Sequence, residues 1–148
     1  MRITTRGRYA LRASLALAKL GINGEPVSIS CLSEKENISS VFLEQIFFKL
    51  RKAGIVSSIR GPGGGFCFAK ALNELTVKEI LDAAEEELDL TFCDKSNDDC
   101  DRIGQCLSHN VLSEVHELLK NYLSSLTIAS ILEKYGDLSA NLEAEKHE

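Results

Sequence analysis

The segment 61–65 constrains the fold of this chain more than any other part of the sequence. It reads Gly-Pro-Gly-Gly-Gly, which favours a tight loop over a helix or a regular strand. Short runs typical of strands lie on either side of it, at 55–60 and 66–68, and the second would place Phe66 and Phe68 on one face. The sequence therefore predicts a small β-hairpin.

Three helical patterns precede this hairpin. The first covers residues 8–20, where apolar side chains recur at spacings of three and four. The second is a short helix that Ser28 can cap, and the third covers 41–53 with a serine cap before it. The third helix is expected to bury one stripe, which consists of Val41, Phe42, Ile46, Phe47 and Leu50. This order predicts a fold that is mainly α with a small β-hairpin wing, a winged helix-turn-helix.

Charge is divided unevenly along the chain. The net charge is -5, but residues 1–70 hold eleven Lys and Arg against four acids, a balance of +7. Residues 71–148 hold six bases against eighteen acids, a balance of -12. A basic half of this kind is typical of a nucleic-acid interface, although two differently solvated faces of one domain would also explain it.

The predicted helix 41–53 occupies the position of a recognition helix, which enters the major groove and contacts base edges near its N-terminus. The predicted wing would approach the DNA backbone without side chains in the way. The residues expected to contact double-stranded DNA are Glu44, Gln45, Arg51, Arg60, Pro62, Gly63 and Gly64. Each element alone also fits a solvated surface and an ordinary hairpin, but their coincidence in the basic half favours DNA.

The second half of the chain predicts two helices joined by a cysteine-bearing loop. Thr76 and Glu79 have the spacing of a capping box, which predicts a helix to about residue 86. A long helix is expected from 108 to 126 and a short closing helix from 127 to 134. The expected divisions are a DNA-binding domain at 1–72, a linker helix and cysteine loop at 73–107, a dimerisation region at 108–135 and a disordered polar tail at 136–148.

The predicted long helix carries an apolar seam over five turns. A symmetric homodimer is the commonest way to cover such a seam, and it would place two recognition helices about 34 Å apart on a pseudo-palindromic site. Packing against the N-terminal domain of the same chain is the alternative.

Three of the five cysteines, with one histidine, form the pattern Cys93-x6-Cys100-x5-Cys106-x2-His109. Thiolates and imidazole suit an iron–sulfur cluster or zinc. Structural thiols with a surface histidine, or a Cys3His zinc site, remain open alternatives. Cys31 and Cys67 are expected to be inert, Cys31 as a buried small residue.

Several functional classes find no support in the sequence. No apolar run reaches the roughly 20 residues that a membrane span needs, and no secretion signal is expected, so a cytoplasmic location is the expectation. No nucleophile–base pair, catalytic carboxylate pair or phosphate-binding loop is recognisable, so an enzyme is not expected.

The chain resembles the bacterial IscR family of iron–sulfur cluster regulators from residue 1 to about residue 130. The wing segment 54–66, which contains Arg60 and the glycines, is the most specific match. The cysteine loop and its Cys-x2-His ending also lie in the expected place. The other matching segments are Met1-Arg2-Ile3-Thr4, Gly7-Arg8-Tyr9-Ala10, Leu43-Glu44-Gln45 and Leu50-Arg51-Lys52.

The resemblance implies a DNA-binding regulator with a 2Fe–2S cluster, whose occupancy would alter which promoters are bound. The implied cluster ligands are Cys93, Cys100, Cys106 and His109, and the implied operator-reading residues are Glu44, Gln45 and Arg60. The gap between the first two cysteines is six residues here, one more than is usual in the family.

Overall fold

A computed structural model describes residues 2–91, 93 and 100–145 of the chain, with the main chain alone at 103 and 137–145. Over these residues it contains helices and one two-stranded antiparallel hairpin. The elements in chain order are α1 (Thr5–Leu20), α2 (Ile29–Glu36), α3 (Ser40–Lys52), β1 (Val56–Ile59), β2 (Gly65–Phe68), α4 (Val77–Ala83), α5 (Leu107–Ser125) and α6 (Ile128–Glu145). Short 3-10 turns lie at Ile22–Gly24 and Ile103–Gln105. The predicted fold class is confirmed.

Hydroxyl side chains begin the first three helices. Thr4, Ser28 and Ser39 each accept a hydrogen bond from the backbone N–H three residues later, at 3.2, 3.1 and 3.1 Å. Because Thr4 caps α1, this helix begins at Thr5, three residues before the predicted start. The three helices pack around one apolar core to which the hairpin also contributes.

The core-facing stripe of α3 differs from the predicted one. Leu43, Ile46, Phe47 and Leu50 are all at most 1% exposed, whereas Val41 is 65% exposed. At 100° per residue, Val41 lies on the opposite side of the helix from Leu50, so including it in the stripe was wrong. Phe42 is half-buried at the margin of the stripe, against Tyr9.

The hairpin is anchored to the core through its second strand. β1 and β2 pair in register with Ser57 opposite Cys67, and Phe66 exchanges two backbone hydrogen bonds with Val27, at 2.8 and 2.9 Å. A Cβ on Gly65 would collide with the carbonyl group of Val27, and its φ of +153° is also outside the usual range for a side chain. Only glycine therefore allows the strand to approach the chain at Val27.

Helix α4 follows the wing, and both of its ends are defined by local interactions. Its predicted capping box is present, with Thr76 N–H donating to Glu79 at 2.9 Å and Glu79 N–H donating to Thr76 at 3.2 Å. The helix ends at Ala83, before the predicted residue 86, because Glu85 adopts a left-handed conformation with φ of +57°. Glu86 then turns inward and is 5% exposed.

The end of the chain is more helical than predicted. α6 runs through Gly136 to Glu145, so the prediction of a disordered tail is wrong for 136–145. One glycine inside a helix costs only about 1 kcal/mol relative to alanine, and Leu, Ala and Glu around it are good helix formers. Residues 146–148 lie outside the described part of the chain.

Among the described residues, no helix is both long enough and apolar enough to cross a membrane.

Candidate DNA interface and cysteine segment

The exposed side of α3 presents a mixed polar and apolar surface. Glu44 and Gln45 are exposed, as predicted for residues that could contact bases. Val41 is 65% and Phe48 57% exposed on the same side of the helix. Arg51 continues this surface toward the C-terminus of α3. The buried stripe fixes the helix, so this surface is presented on a rigid support.

Arg51 joins the recognition helix to the wing. Its Nη1 donates a hydrogen bond to Oγ of Ser58 on β1, at 3.3 Å. Its guanidinium carbon also lies 5.9 Å from the centre of the Phe48 ring, within the range of a cation–π interaction. A direct side-chain hydrogen bond therefore connects the two elements that a winged helix places on DNA.

The tip of the wing is open to solvent. Arg60, Pro62 and Gly63 are exposed, and Gly64 is half-buried. A Cβ on Gly64 would collide with the carbonyl oxygen of Ile59, so the hairpin itself requires glycine at this position. Gly64 is therefore required by the geometry of the hairpin itself, in addition to the predicted close approach of the wing to DNA.

Some basic side chains of the first half form ion pairs within the chain. Lys49 of α3 forms an ion pair with Glu85 at 2.7 Å, and Arg12 pairs with Glu36 at 3.1 Å. Lys49 also lowers the pKa of Glu85 from its ordinary value, chiefly through this hydrogen bond. Lys49 is thereby turned away from a role in phosphate contact, whereas Arg51 and Arg60 remain on the exposed side.

Cys106 and His109 lie at the beginning of α5. Cys106 is the N-cap residue, and His109 follows it by less than one helical turn. The pKa of the Cys106 thiol is lowered, first by the Ser108 hydroxyl at 3.1 Å from Sγ and then by the backbone N–H of His109. This environment favours the thiolate, the form that binds metals. His109 is half-buried, with its Nδ1 atom inside the protein.

The other two predicted ligands lie on the segment before α5. Cys93 is half-buried and Cys100 exposed, and both are free thiols. Phe92 and residues 94–99 lie outside the described residues. In the described part of the chain no three Cys, His, Asp or Glu side chains converge as a metal site. The thiol and imidazole donors match an iron–sulfur cluster in chemistry, but the structure does not bring the four predicted ligands together.

Two features of the structure were not predicted from the sequence, the exposed position of Phe48 and the contact between Thr4 and Glu86. Phe48 lies on the exposed side of α3, which its spacing of four from Glu44 could have indicated. Glu86 accepts hydrogen bonds from the backbone N–H of Thr4, at 2.9 Å, and from the Thr4 hydroxyl. No local pattern predicts that contact, because the two residues are 82 positions apart.

Cys31, expected to be buried, is exposed.

The outward side of α5 is apolar and uncovered by the rest of the described chain. No residue of this 19-residue helix is buried. Leu123 on its inner side and Leu126 directly after its end pack on α4, whereas the outer seam has exposures from 37% to 79%. The seam consists of Leu107, Val111, Leu112, Val115, Leu118 and Tyr122.

The chain is similar in sequence to known transcriptional regulators. The sequence profile of the Rrf2 family, described as iron-dependent transcriptional regulators, matches residues 3–134. A helix-turn-helix-type transcriptional regulator of Neisseria meningitidis is 42% identical over 134 residues, covering 90% of this chain and 89% of the relative. The transcriptional regulator IscR of Klebsiella pneumoniae is 36% identical over 148 residues, covering 100% of this chain and 90% of the relative.

Solved structures agree with the sequence relatives. IscR of T. potens superposes with a TM-score of 0.73 at 28% identity, covering 90% of this chain and 88% of that one. CymR of B. subtilis, described as a global cysteine regulator, superposes with a TM-score of 0.69 at 28% identity, covering 90% and 98%. An IscR protein and a protein described as a global cysteine regulator therefore share this fold.

Proposed function

The chain belongs to the Rrf2 family of transcriptional regulators, and from this premise we propose that it acts as a homodimer that binds double-stranded DNA under the control of an iron–sulfur cluster. The exposed side of α3 carries the DNA-binding part of the proposal. In it, Glu44 and Gln45 reach base edges while Arg51 and Arg60 contact phosphates or the minor groove. Pro62, Gly63 and Gly64 bring the wing backbone against the duplex.

The seam of α5 supports the homodimer. Six large apolar side chains on one helix are an unusual amount of exposed apolar surface for a monomer. In the proposed dimer two copies of the seam pair about a two-fold axis, so that the same patch of each copy forms the interface. Such a dimer would offer two recognition helices to a pseudo-palindromic promoter site.

The donor set supports the cluster. In the proposal Cys93, Cys100, Cys106 and His109 hold a 2Fe–2S cluster, since thiolates and imidazole are ligands of such clusters. The bound cluster would supply a group whose presence responds to iron, sulfur and oxidants. The chain contributes a thiol at Cys106, whose pKa lies below its ordinary value because of the Ser108 hydroxyl, and an imidazole at His109 on the same helix.

Contacts at the end of α4 offer a route from the cysteine segment to the DNA-binding surface. Glu85 pairs with Lys49 of the recognition helix, and Glu86 is bound by Thr4 at the start of α1. Both acids directly precede the segment that leads to Cys93. A rearrangement of that segment on cluster binding would therefore act on α1 and α3 through side chains already in contact with them.

Two measurements test the proposal. Protein purified without oxygen should show visible absorption together with iron and sulfide, and Cys93→Ala should lose all three. Its binding to a promoter duplex should weaken as salt rises, and Arg60→Ala should weaken it further. Lys78→Ala, which removes one positive charge on α4, is the matched control and should leave binding unchanged. Absence of any duplex binding would refute the DNA-binding role.

A second candidate is a regulator of the same fold with a structural zinc or a thiol-based sensor of small molecules, including nitric oxide. The similarity to CymR favours it, because that protein has the same fold and is described as a global cysteine regulator. One zinc per chain in a colourless protein, or regulation that persists after metal removal, would support this candidate and refute the cluster. A cluster protein without a DNA role would show the absorption but no salt-sensitive duplex binding.

A further inference from the structure

The centre of the exposed side of α3 is apolar. At 100° per residue, Val41 and Phe48 project within about 20° of each other, with Gln45 on one flank and Glu44 on the other. They are 65% and 57% exposed. They are seven positions apart in sequence, so they lie about 10 Å apart along the helix axis. A DNA-contacting helix thus presents two apolar side chains where its reach toward the bases is greatest.

The Phe48 ring is held in place without being covered. The ring remains 57% exposed although the guanidinium of Arg51 lies 5.9 Å from its centre. Arg51 is itself fixed by its hydrogen bond to Ser58 of the wing, at 3.3 Å. The exposed phenyl group is therefore preorganised, which reduces the entropy lost when it is buried against a partner.

The major groove offers one apolar group at base edges, the C5-methyl of thymine, and Phe side chains are among those that contact it. We propose that Phe48 and Val41 read thymine methyl groups, so that each half-site carries two thymines about three base pairs apart. This spacing is the upper value, for a helix axis that runs along the duplex axis, and follows from about 10 Å along the helix and about 3.4 Å per base pair of each strand. The inference rests on the proposed DNA-binding function and adds a specificity determinant to it.

The surroundings of the two side chains favour DNA over a protein partner as the occupant. Glu44 and Gln45, which can pair with cytosine and adenine, flank the apolar pair. Arg51 and Lys52 extend the same exposed side. The pair also lies in the half of the chain with a balance of +7. An apolar surface inside a basic and hydrogen-bonding one matches a thymine-containing major groove.

The test uses duplexes selected by the full-length protein from a random pool. Each thymine of a selected site is replaced in turn by deoxyuridine, which removes only the methyl group. With the unmodified protein, two positions per half-site should bind about three- to fivefold more weakly, the effect of losing one buried methyl-sized group. In Phe48→Ala the penalty at one of these positions should vanish, and in Val41→Ala the penalty at the other.

Controls separate the readout from general effects. Ile22→Ala removes an equally exposed apolar side chain, also 65% exposed, from the 3-10 turn after α1 and should leave the deoxyuridine profile unchanged. Phe48→Leu should retain most of the methyl penalty. If deoxyuridine is tolerated at every position, the proposal is wrong while the DNA-binding function stands. If no duplex is selected at all, both fail together.

Discussion

Helices α3 and α5 are both amphipathic, but they differ in where their apolar sides go. The four core-facing side chains of α3 are at most 1% exposed, because α1, α2 and the hairpin surround them. α5 is longer, yet none of its residues is buried, and its outer seam reaches 79% exposure at Leu107. The core-facing side of α3 is therefore covered within the chain, in a core to which α4 and the start of α6 also contribute, whereas the outer seam of α5 stays uncovered by the described residues.

This difference separates stability from assembly. Side chains on the inner side of α3 should govern the free energy of unfolding of the chain. Side chains on the outer seam of α5 should govern association and leave the fold of each copy nearly unchanged. Four predictions examine this separation, from the largest expected effect to the smallest.

Replacing Phe47 by Ala should lower the free energy of unfolding by about 3–5 kcal/mol, since Phe47 is fully buried and a cavity would remain. Its neighbour Phe48 is the matched control, because Phe48→Ala removes the same group from the exposed side of α3 and should change stability by only about 0.5 kcal/mol. Urea denaturation of the two variants measures both values. Equal losses would contradict the assignment of the two faces.

Replacing Leu118 by Asp should dissociate the dimer, because a charge would be buried in the apolar seam. We expect the dimer dissociation constant to rise about 30-fold or more, equivalent to about 2 kcal/mol. Sedimentation equilibrium measures it. Ser124→Asp adds the same charge to the side of α5 opposite the seam, at 100° per residue, and should have little effect. An unchanged association in Leu118→Asp would show that the seam packs elsewhere.

Replacing Glu86 by Ala should weaken the contact between the start of α1 and the residues after α4, and lower the free energy of unfolding by about 1–3 kcal/mol. The backbone N–H of the exposed Thr4 would lose its carboxylate acceptor at 2.9 Å, and a hydrogen bond to a charged group contributes about 1.5–3 kcal/mol. Glu74→Ala, which removes an exposed carboxylate from the turn before α4, is the control and should be close to neutral. Thermal unfolding reports the difference, and hydrogen exchange should show the loss concentrated in the first turn of α1.

The smallest effect should be a pH dependence at Glu79. The pKa of Glu79 lies below its ordinary value of 4.5, mainly because Lys70 donates a hydrogen bond to it. A lowered folded pKa means that the pair stabilises the fold above the ordinary value and that this contribution is lost as the pH falls through the folded value. Since the Glu79 side chain is 38% exposed, the contribution should stay below about 1 kcal/mol.

Glu79→Gln should therefore lose part of the acid-dependent decrease in stability between neutral pH and about pH 3. Parallel urea titrations of the variant and of the unmodified protein measure it. Glu74→Gln provides the exposed-carboxylate control. An identical acid dependence in all three proteins would refute the assigned role of the Lys70 pair.

Local chemistry made much of the winged half predictable. Capping side chains at Ser28, Ser39 and Thr76 begin helices that the sequence predicts, because such hydrogen bonds span only three residues. The prediction failed where the angular position of one residue decided the outcome, as at Val41. It also failed at Gly136, where a helix of good formers tolerates one glycine.

The cysteine segment was predictable as a pattern and not as a geometry. Donor types and spacing can be read from Cys93 to His109, but ligands converge only when the chain between them adopts one particular path. The described residues do not bring three ligands together, so the cluster remains a proposal that rests on donor chemistry and family membership.

The sequence by itself determined the helix order, the hairpin, the charge division and the chemistry of the candidate ligands, since each depends on residues close along the chain. Only the tertiary structure decided that Lys49 pairs with Glu85, that Thr4 binds Glu86 and that Phe48 stays exposed beside Arg51. These contacts join segments far apart in sequence or depend on which side of a helix the core covers. These contacts depend on how the elements pack against one another, and a local sequence pattern does not determine that packing.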